Sequence, residues 1–225
     1  SAGVIALTNG NYVFGSPDVD GDASNTGAAT WASGVASSHA TVSSGNSLVG
    51  KQADDAVGTE GNIVALKNGN YVVASPTWDN DVTANAGAVT WGSGTTGTNG
   101  YVATTNSLVG TRTNDSVGSG GVVALSNGNY VSGSPDWNDG THALAGAATW
   151  ASGASAFVGT ITSANSLVGT HDNDRVGIRT IALTGGGFVV GSPDWNDGTN
   201  IGVGAATWGS GTAATAGAVS ASNSL

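Results

Sequence analysis

Cysteine and methionine are both missing from the 225 residues. Without cysteine there can be no disulfide framework, no thiolate metal site and no cysteine nucleophile. Basic residues are almost missing too. Five Lys and Arg face fifteen acids, a formal net charge of −10, which excludes the basic footprint that nucleic-acid binding requires. Charged residues total only 9%, yet 39% of the chain is hydrophobic, too apolar for a disordered polymer. No apolar run approaches the roughly 18–20 residues of a membrane-spanning helix, so no membrane insertion is expected. No segment holds a 3.6-residue apolar period, so almost no helix is expected either. The chain does not begin with Met and shows no signal peptide, which suggests a processed or excised segment. The expected setting is extracellular or at the cell surface.

What the chain does contain, it contains four times. Ser-Pro recurs at Ser16-Pro17, Ser75-Pro76, Ser134-Pro135 and Ser192-Pro193, in steps of 59, 59 and 58 residues. A Gly-Ala-(Ala/Val)-Thr-Trp run ends at Trp31, Trp91, Trp150 and Trp208, and Asn-Ser-Leu ends at Leu48, Leu108, Leu167 and Leu225. Three anchors on one period predict a repeat array, a single repeat domain over residues 1–225 with units near 1–58, 59–117, 118–176 and 177–225.

Each unit reads as four strands. In the second these are the run from Ile63 to Leu66, Tyr71 to Ser75, Gly87 to Gly92, and a last strand from Tyr101 to Val109. β-Branched and aromatic residues punctuated by Gly, Asn and Pro support strands throughout. Asn9-Gly10, Asn68-Gly69 and Asn127-Gly128 predict type I′ hairpin turns, with Gly185-Gly186-Gly187 standing there in the fourth unit. The prolines close the second strand, where a missing amide hydrogen is harmless. The expected fold is therefore all-β, a β-propeller-like array of four four-stranded antiparallel blades. The alternative is a parallel β-solenoid, which the hairpin signals oppose. Trp31, Trp91, Trp150 and Trp208 are expected to pack between neighbouring sheets.

The order Leu108-Val-Gly110, Val117-Gly118, then Gly133-Ser-Pro135, followed by the Gly-Ala-Val-Thr-Trp strand, resembles the FG-GAP repeat of integrin-α-like propellers and of large haemagglutinin-like bacterial exoproteins. The resemblance implies blades of a propeller on a surface protein. Its Asp-rich calcium turn between the first two strands is replaced here by Thr8-Asn-Gly-Asn11 and its equivalents, which carry no carboxylate. Calcium binding at that turn is not implied.

Strand parity places the charges. In an antiparallel four-stranded unit, loops between the second and third strands share one end of the sheet with the linkers between units. The loops hold nine acids: Asp18, Asp20, Asp22, Asp79, Asp81, Asp136, Asp139, Asp194 and Asp197. The linkers hold Asp54, Asp55, Glu60, Asp115, Asp172 and Asp174, completing the fifteen. Lys51, Arg112, Arg175 and Arg179 fall on the same rim, so fifteen acids less four cations leave a local excess near −11. Such a field favours cations, and the nine loop aspartates are candidate ligands for Ca²⁺, which takes several oxygen donors. The spacing Asp18-Val-Asp-Gly-Asp22 is the best of these, though it lacks the downstream Glu of an EF-hand.

A second tryptophan set, Trp78, Trp137 and Trp195, lies in these loops beside Asn80, Asn138 and Asn196. If exposed, an indole flanked by amides could stack on a sugar ring while the amides bond its hydroxyls. The candidate function is thus an adhesive or carbohydrate-binding module with a glycan or a surface protein as partner. The alternative is a structural repeat whose partner is further copies of itself. No enzyme is expected: His39, His142 and His171 occupy unrelated repeat positions, and no nucleophile elbow or phosphate loop accompanies them.

Overall fold

The computed structural model describes residues 3–36 and 40–225; His39 lies outside them. The first unit contributes β1 (Val4–Ala6), β2 (Tyr12–Ser16), β3 (Ala28–Ala32) and β4 (Ser47–Val49). The second contributes β5 (Ile63–Ala65), β6 (Tyr71–Ser75), β7 (Ala88–Gly92), β8 (Gly100–Tyr101) and β9 (Ser107–Val109). The third gives β10 (Val122–Ala124), β11 (Tyr130–Ser134), β12 (Ala147–Ala151), β13 (Gly159–Thr160) and β14 (Leu167–Val168). In the fourth lie β15 (Arg179–Ala182), β16 (Phe188–Ser192), β17 (Ala205–Gly209) and β18 (Gly217–Ala218). No helix occurs among the described residues. The chain is all-β, with one sheet of three to five strands per repeat. Strands of one unit that pair with each other run antiparallel, so the parallel solenoid does not hold.

Two local expectations are corrected. The Asn-Gly turns are not type I′, because only the glycine takes positive φ (Gly10 89°, Gly69 91°, Gly128 89°) while the asparagine before it does not. Leu7 N–H donates to Asn11 O and Gly10 N–H to Leu7 O, a three-residue loop closed by a left-handed glycine. Asparagine is kept there because its side-chain oxygen accepts the Asn11 N–H at 3.1 Å, which frees its amide to reach outward.

The second correction concerns the last strand. The run from Tyr101 to Val109 is not continuous. Gly100–Tyr101 pairs in parallel with β4 of the preceding sheet, whereas Ser107–Val109 joins β7 of its own. Asn106 makes the break: its Oδ1 accepts the Ala103 N–H and its Nδ2 donates to Tyr101 O. β13 on β9 and β18 on β14 repeat the crossing. The Asn-Ser-Leu anchor is thereby explained. Asn shapes the break, Leu48, Leu108 and Leu167 enter the cores while Leu225 is exposed, and Ser meets the Thr of the Trp-bearing strand at 2.7 Å in all four units (Thr30–Ser47, Thr90–Ser107, Thr149–Ser166, Thr207–Ser224). Since each Ser hydroxyl donates to the adjacent Asn Oδ1, the Thr hydroxyl is the donor to Ser.

The hydrophobic cores lie between successive sheets. One joins Val13, Ala29 and Leu48 of unit 1 to Tyr71, Val73 and Trp78 of unit 2. The next joins Val72, Val89 and Leu108 to Tyr130, Trp137 and Val168. The third joins Val131, Ala148 and Leu167 to Phe188, Val190 and Trp195. Each internal sheet is therefore covered on both faces, and β6 and β11 are buried at every position.

Candidate functional site

At each junction one carbonyl collects three side-chain donors from the preceding unit. Gly94 O accepts from Asn9 Nδ2 (2.7 Å), Asn11 Nδ2 (2.8 Å) and Trp31 Nε1 (2.9 Å). Gly153 O takes Asn68, Asn70 and Trp91 in the same way, and Gly211 O takes Asn127, Asn129 and Trp150. The residue bearing that carbonyl has to be glycine: a Cβ at Gly94, Gly153 or Gly211 would overlap the carbonyl oxygen of the hairpin glycine of its own unit. Three of the four strand-borne tryptophans, Trp31, Trp91 and Trp150, do pack between sheets with their indole nitrogens spent on this joint, whereas Trp208 is exposed.

At the opposite, acidic rim a second device recurs. Asp55 is wholly buried. Its Oδ2 accepts the N–H groups of Lys51 and Gln52, and its Oδ1 that of Asp79 at 2.9 Å. Asp115 binds Thr111, Arg112 and Asn138 identically, and Asp174 binds Thr170, His171 and Asn196. Each linker aspartate thus folds its own linker and fastens the long loop of the next unit. Burial pushes the carboxyls of Asp55 and Asp115 up, opposed by these N–H donors. The position of these acids on the acidic rim was legible from strand parity. Their burial was not, because a lone Asp in a polar linker looks the same whether solvated or clamped.

The loop aspartates serve as local turn formers. Asp20 Oδ1 accepts the Asn25 N–H, Asp79 Oδ1 that of Asn85, Asp139 Oδ1 those of Thr141 and His142, and Asp197 Oδ1 those of Thr199 and Asn200. Asp22 Oδ2 accepts from the Tyr101 hydroxyl and Asp136 Oδ2 from Ser119. Asp18 and Asp194 are exposed, and Asp81 sits in a left-handed turn. Among the described residues no three acidic or histidine side chains converge as a cation site would require. The alternating carboxylates of residues 18–22 therefore do not face one centre, because the loop turns between them.

The sugar-stacking reading of the loop tryptophans is corrected outright. Trp78, Trp137 and Trp195 are only 4%, 7% and 7% exposed. Each plugs the core shared with the preceding unit, so its ring faces are already covered. Their Asn neighbours shape the loop: Asn138 Oδ1 and Asn196 Oδ1 accept the Gly140 and Gly198 N–H groups, while Asn80 pairs with Thr83 through the backbone.

One grouping escaped the sequence. His142, from the long loop of unit 3, and His171, from the following linker, lie with ring centroids 6.3 Å apart beside a cleft of about 760 Å³. Their repeat positions differ, yet both positions belong to the same rim, and that was the available signal. His142 Nδ1 meets Asp139 Oδ2 at 2.8 Å, which raises the imidazole above its usual value. For Asp139, desolvation acts upward, but bonds from the His142 side chain and backbone leave its carboxyl below the usual range. The stabilisation from the imidazole is fully present below pH 6.5 and is lost as pH rises through the higher folded value. An NMR titration should find His142 titrating above 6.5 in the native chain and falling back in Asp139→Asn. An unchanged midpoint would refute the pair.

No curated protein matches the chain. A family model described as a repeat of unknown function (DUF5650) matches it four times, over residues 6–59, 65–119, 124–178 and 182–225. With four tandem copies spanning nearly its whole length, the chain belongs to this repeat family.

Proposed function

We propose that the chain is a structural repeat element, a series of propeller-like blades that acts as a spacer in a cell-surface or filament-forming assembly. The observation that supports this best is where the recurrent side chains go. In the first three units the Asn pair of the hairpin and the Trp of the third strand end at a junction between units, as do the buried linker aspartates and the loop tryptophans Trp78, Trp137 and Trp195. Residues repeated for an outside ligand would instead be held open to solvent. The adhesive reading loses its stacking surfaces with the burial of the loop indoles, and the calcium reading loses carboxylate oxygens to backbone N–H groups.

A glycan array run with and without Ca²⁺ tests this reading, together with melting curves in the two conditions. The expected result is no glycan retained above background and no change in melting temperature. A glycan captured specifically, or a clear rise in melting temperature on adding Ca²⁺, would overturn it.

A further inference from the structure

We propose that His142 and His171 form a binding site for a divalent transition ion of the zinc and copper class, at the junction between units 3 and 4. The inference goes beyond the spacer role and does not depend on it. The long loop of unit 3 and the linker that follows it each bring one imidazole to the cleft of about 760 Å³.

Both rings are set for ligation by carboxylates. Asp139 Oδ1 accepts the Thr141 and His142 N–H groups, which fixes the carboxyl, and its Oδ2 lies 2.8 Å from His142 Nδ1. His171 Nδ1 lies 3.6 Å from Oδ2 of Asp174, the buried clamp of its linker, and 3.3 Å from the Thr170 hydroxyl. A carboxylate beside one ring nitrogen holds the proton there and leaves the lone pair of the other for a metal. Among the described residues neither Nε2 takes a hydrogen bond, so both lone pairs are available to an ion. Two rings that share one tetrahedral ion, with bonds of about 2.0–2.1 Å, have centroids roughly 5 Å apart. The pair at 6.3 Å closes to that by side-chain rotation, since both rings are half-exposed. Asp172 and Asp194 line the cleft and favour a cation, while Arg175 is drawn to Asp136 at 3.8 Å. Imidazole suits zinc, copper and nickel, whereas calcium takes oxygen. With two protein donors the site stays open and exchangeable, water filling the other positions.

The pairing is a departure from the repeat and not a product of it. The linker position reads Gln52, Arg112 and His171 at the three junctions, and the loop position reads Thr83, His142 and Asn200 in units 2, 3 and 4. Packing fixes neither, since the side chain changes with each copy, yet histidine stands at both where the two positions meet. This rim also stays open when further units follow. Between units 2 and 3, with unit 4 beyond, Arg112, Thr113 and Asn114 are exposed.

Isothermal titration of the full chain with ZnCl₂ tests the proposal. The native protein should bind a single ion, its melting temperature should rise with zinc because the ion binds only the folded junction, and the ring C–H resonances of both histidines should shift together in NMR. CaCl₂ should give no heat. His142→Asn and His171→Gln install residues that the array already carries at those positions, Asn200 and Gln52, so both variants should fold, as far-UV circular dichroism verifies. Each should lose the heat of zinc binding and the rise in melting temperature. No zinc heat in the native chain would overturn the site, as would a heat that either single variant leaves unchanged. Both of these results leave the spacer role standing. An equal heat from CaCl₂ would overturn the site and the spacer role together, in favour of ligation by oxygen.

Discussion

Asp115→Ala should cost the fold about 3–5 kcal/mol, the range for breaking a buried charged network. The side chain is wholly buried, and its removal leaves the N–H groups of Thr111, Arg112 and Asn138 without their acceptor. Two of these belong to the linker and one to the loop of the next unit, so local order and the junction are lost together. For a chain of this size the melting temperature should fall by roughly 10 °C. Asp115→Asn keeps the shape but turns an amide N–H₂ toward at least one donor, and should cost about 2 kcal/mol. Asp18→Ala, at an exposed carboxylate, should stay within about 0.5 kcal/mol. Urea unfolding of the three variants checks the ranking, and equal losses at positions 18 and 115 would show that the clamp carries no special weight. The carboxyl of Asp115 lies above its ordinary value because burial outweighs its N–H donors and the nearby Arg112 charge. Its protonation in acid therefore favours the folded state, and that advantage is lost as pH rises through the folded value. Acid unfolding should not begin at this group.

Gly153→Ala is expected to be nearly as damaging, at about 3 kcal/mol, the upper part of the usual range for overpacking. The added methyl would overlap the Gly128 carbonyl oxygen and sit 2.9 Å from a methyl of Leu66. Moving the turn to relieve that clash carries the Gly153 carbonyl away from Asn68, Asn70 and Trp91. Hydrogen exchange should show lost protection on both sides of the junction between units 2 and 3. Gly185→Ala is the control: nothing lies within 4 Å of the added methyl and φ is not left-handed. It should be neutral or stabilising by about 0.4–1 kcal/mol through the unfolded chain. A loss at Gly185 matching that at Gly153 would mean that backbone freedom, not the junction, sets the requirement for glycine.

The architecture was largely legible because period, hairpin loops and strand composition all pointed to antiparallel units, and pairing parity follows from strand count alone. The broken last strand was not legible. Residues 101–109 read as one β-rich run, and only the side chain of Asn106, bonding forward and back, divides it between two sheets. The loop tryptophans misled for a related reason. Asp and Asn around Trp137 imply solvent, but Asn138 and Asp139 bond the backbone on the rim while the indole points into the core shared with the preceding unit. Pattern along a chain reports which residues alternate. It does not report which neighbour arrives to cover them.

The strand that crosses between sheets puts the covalent repeat and the folded unit out of phase. β8, β13 and β18 each complete the sheet of the unit before their own, so the sheet built on one repeat is finished by the next. A gene duplication that copies one period therefore copies a piece with an unfilled edge at one end and a spare strand at the other. Every added copy completes its predecessor and leaves a new vacancy behind it, so the array can be extended by whole periods without redesigning any joint.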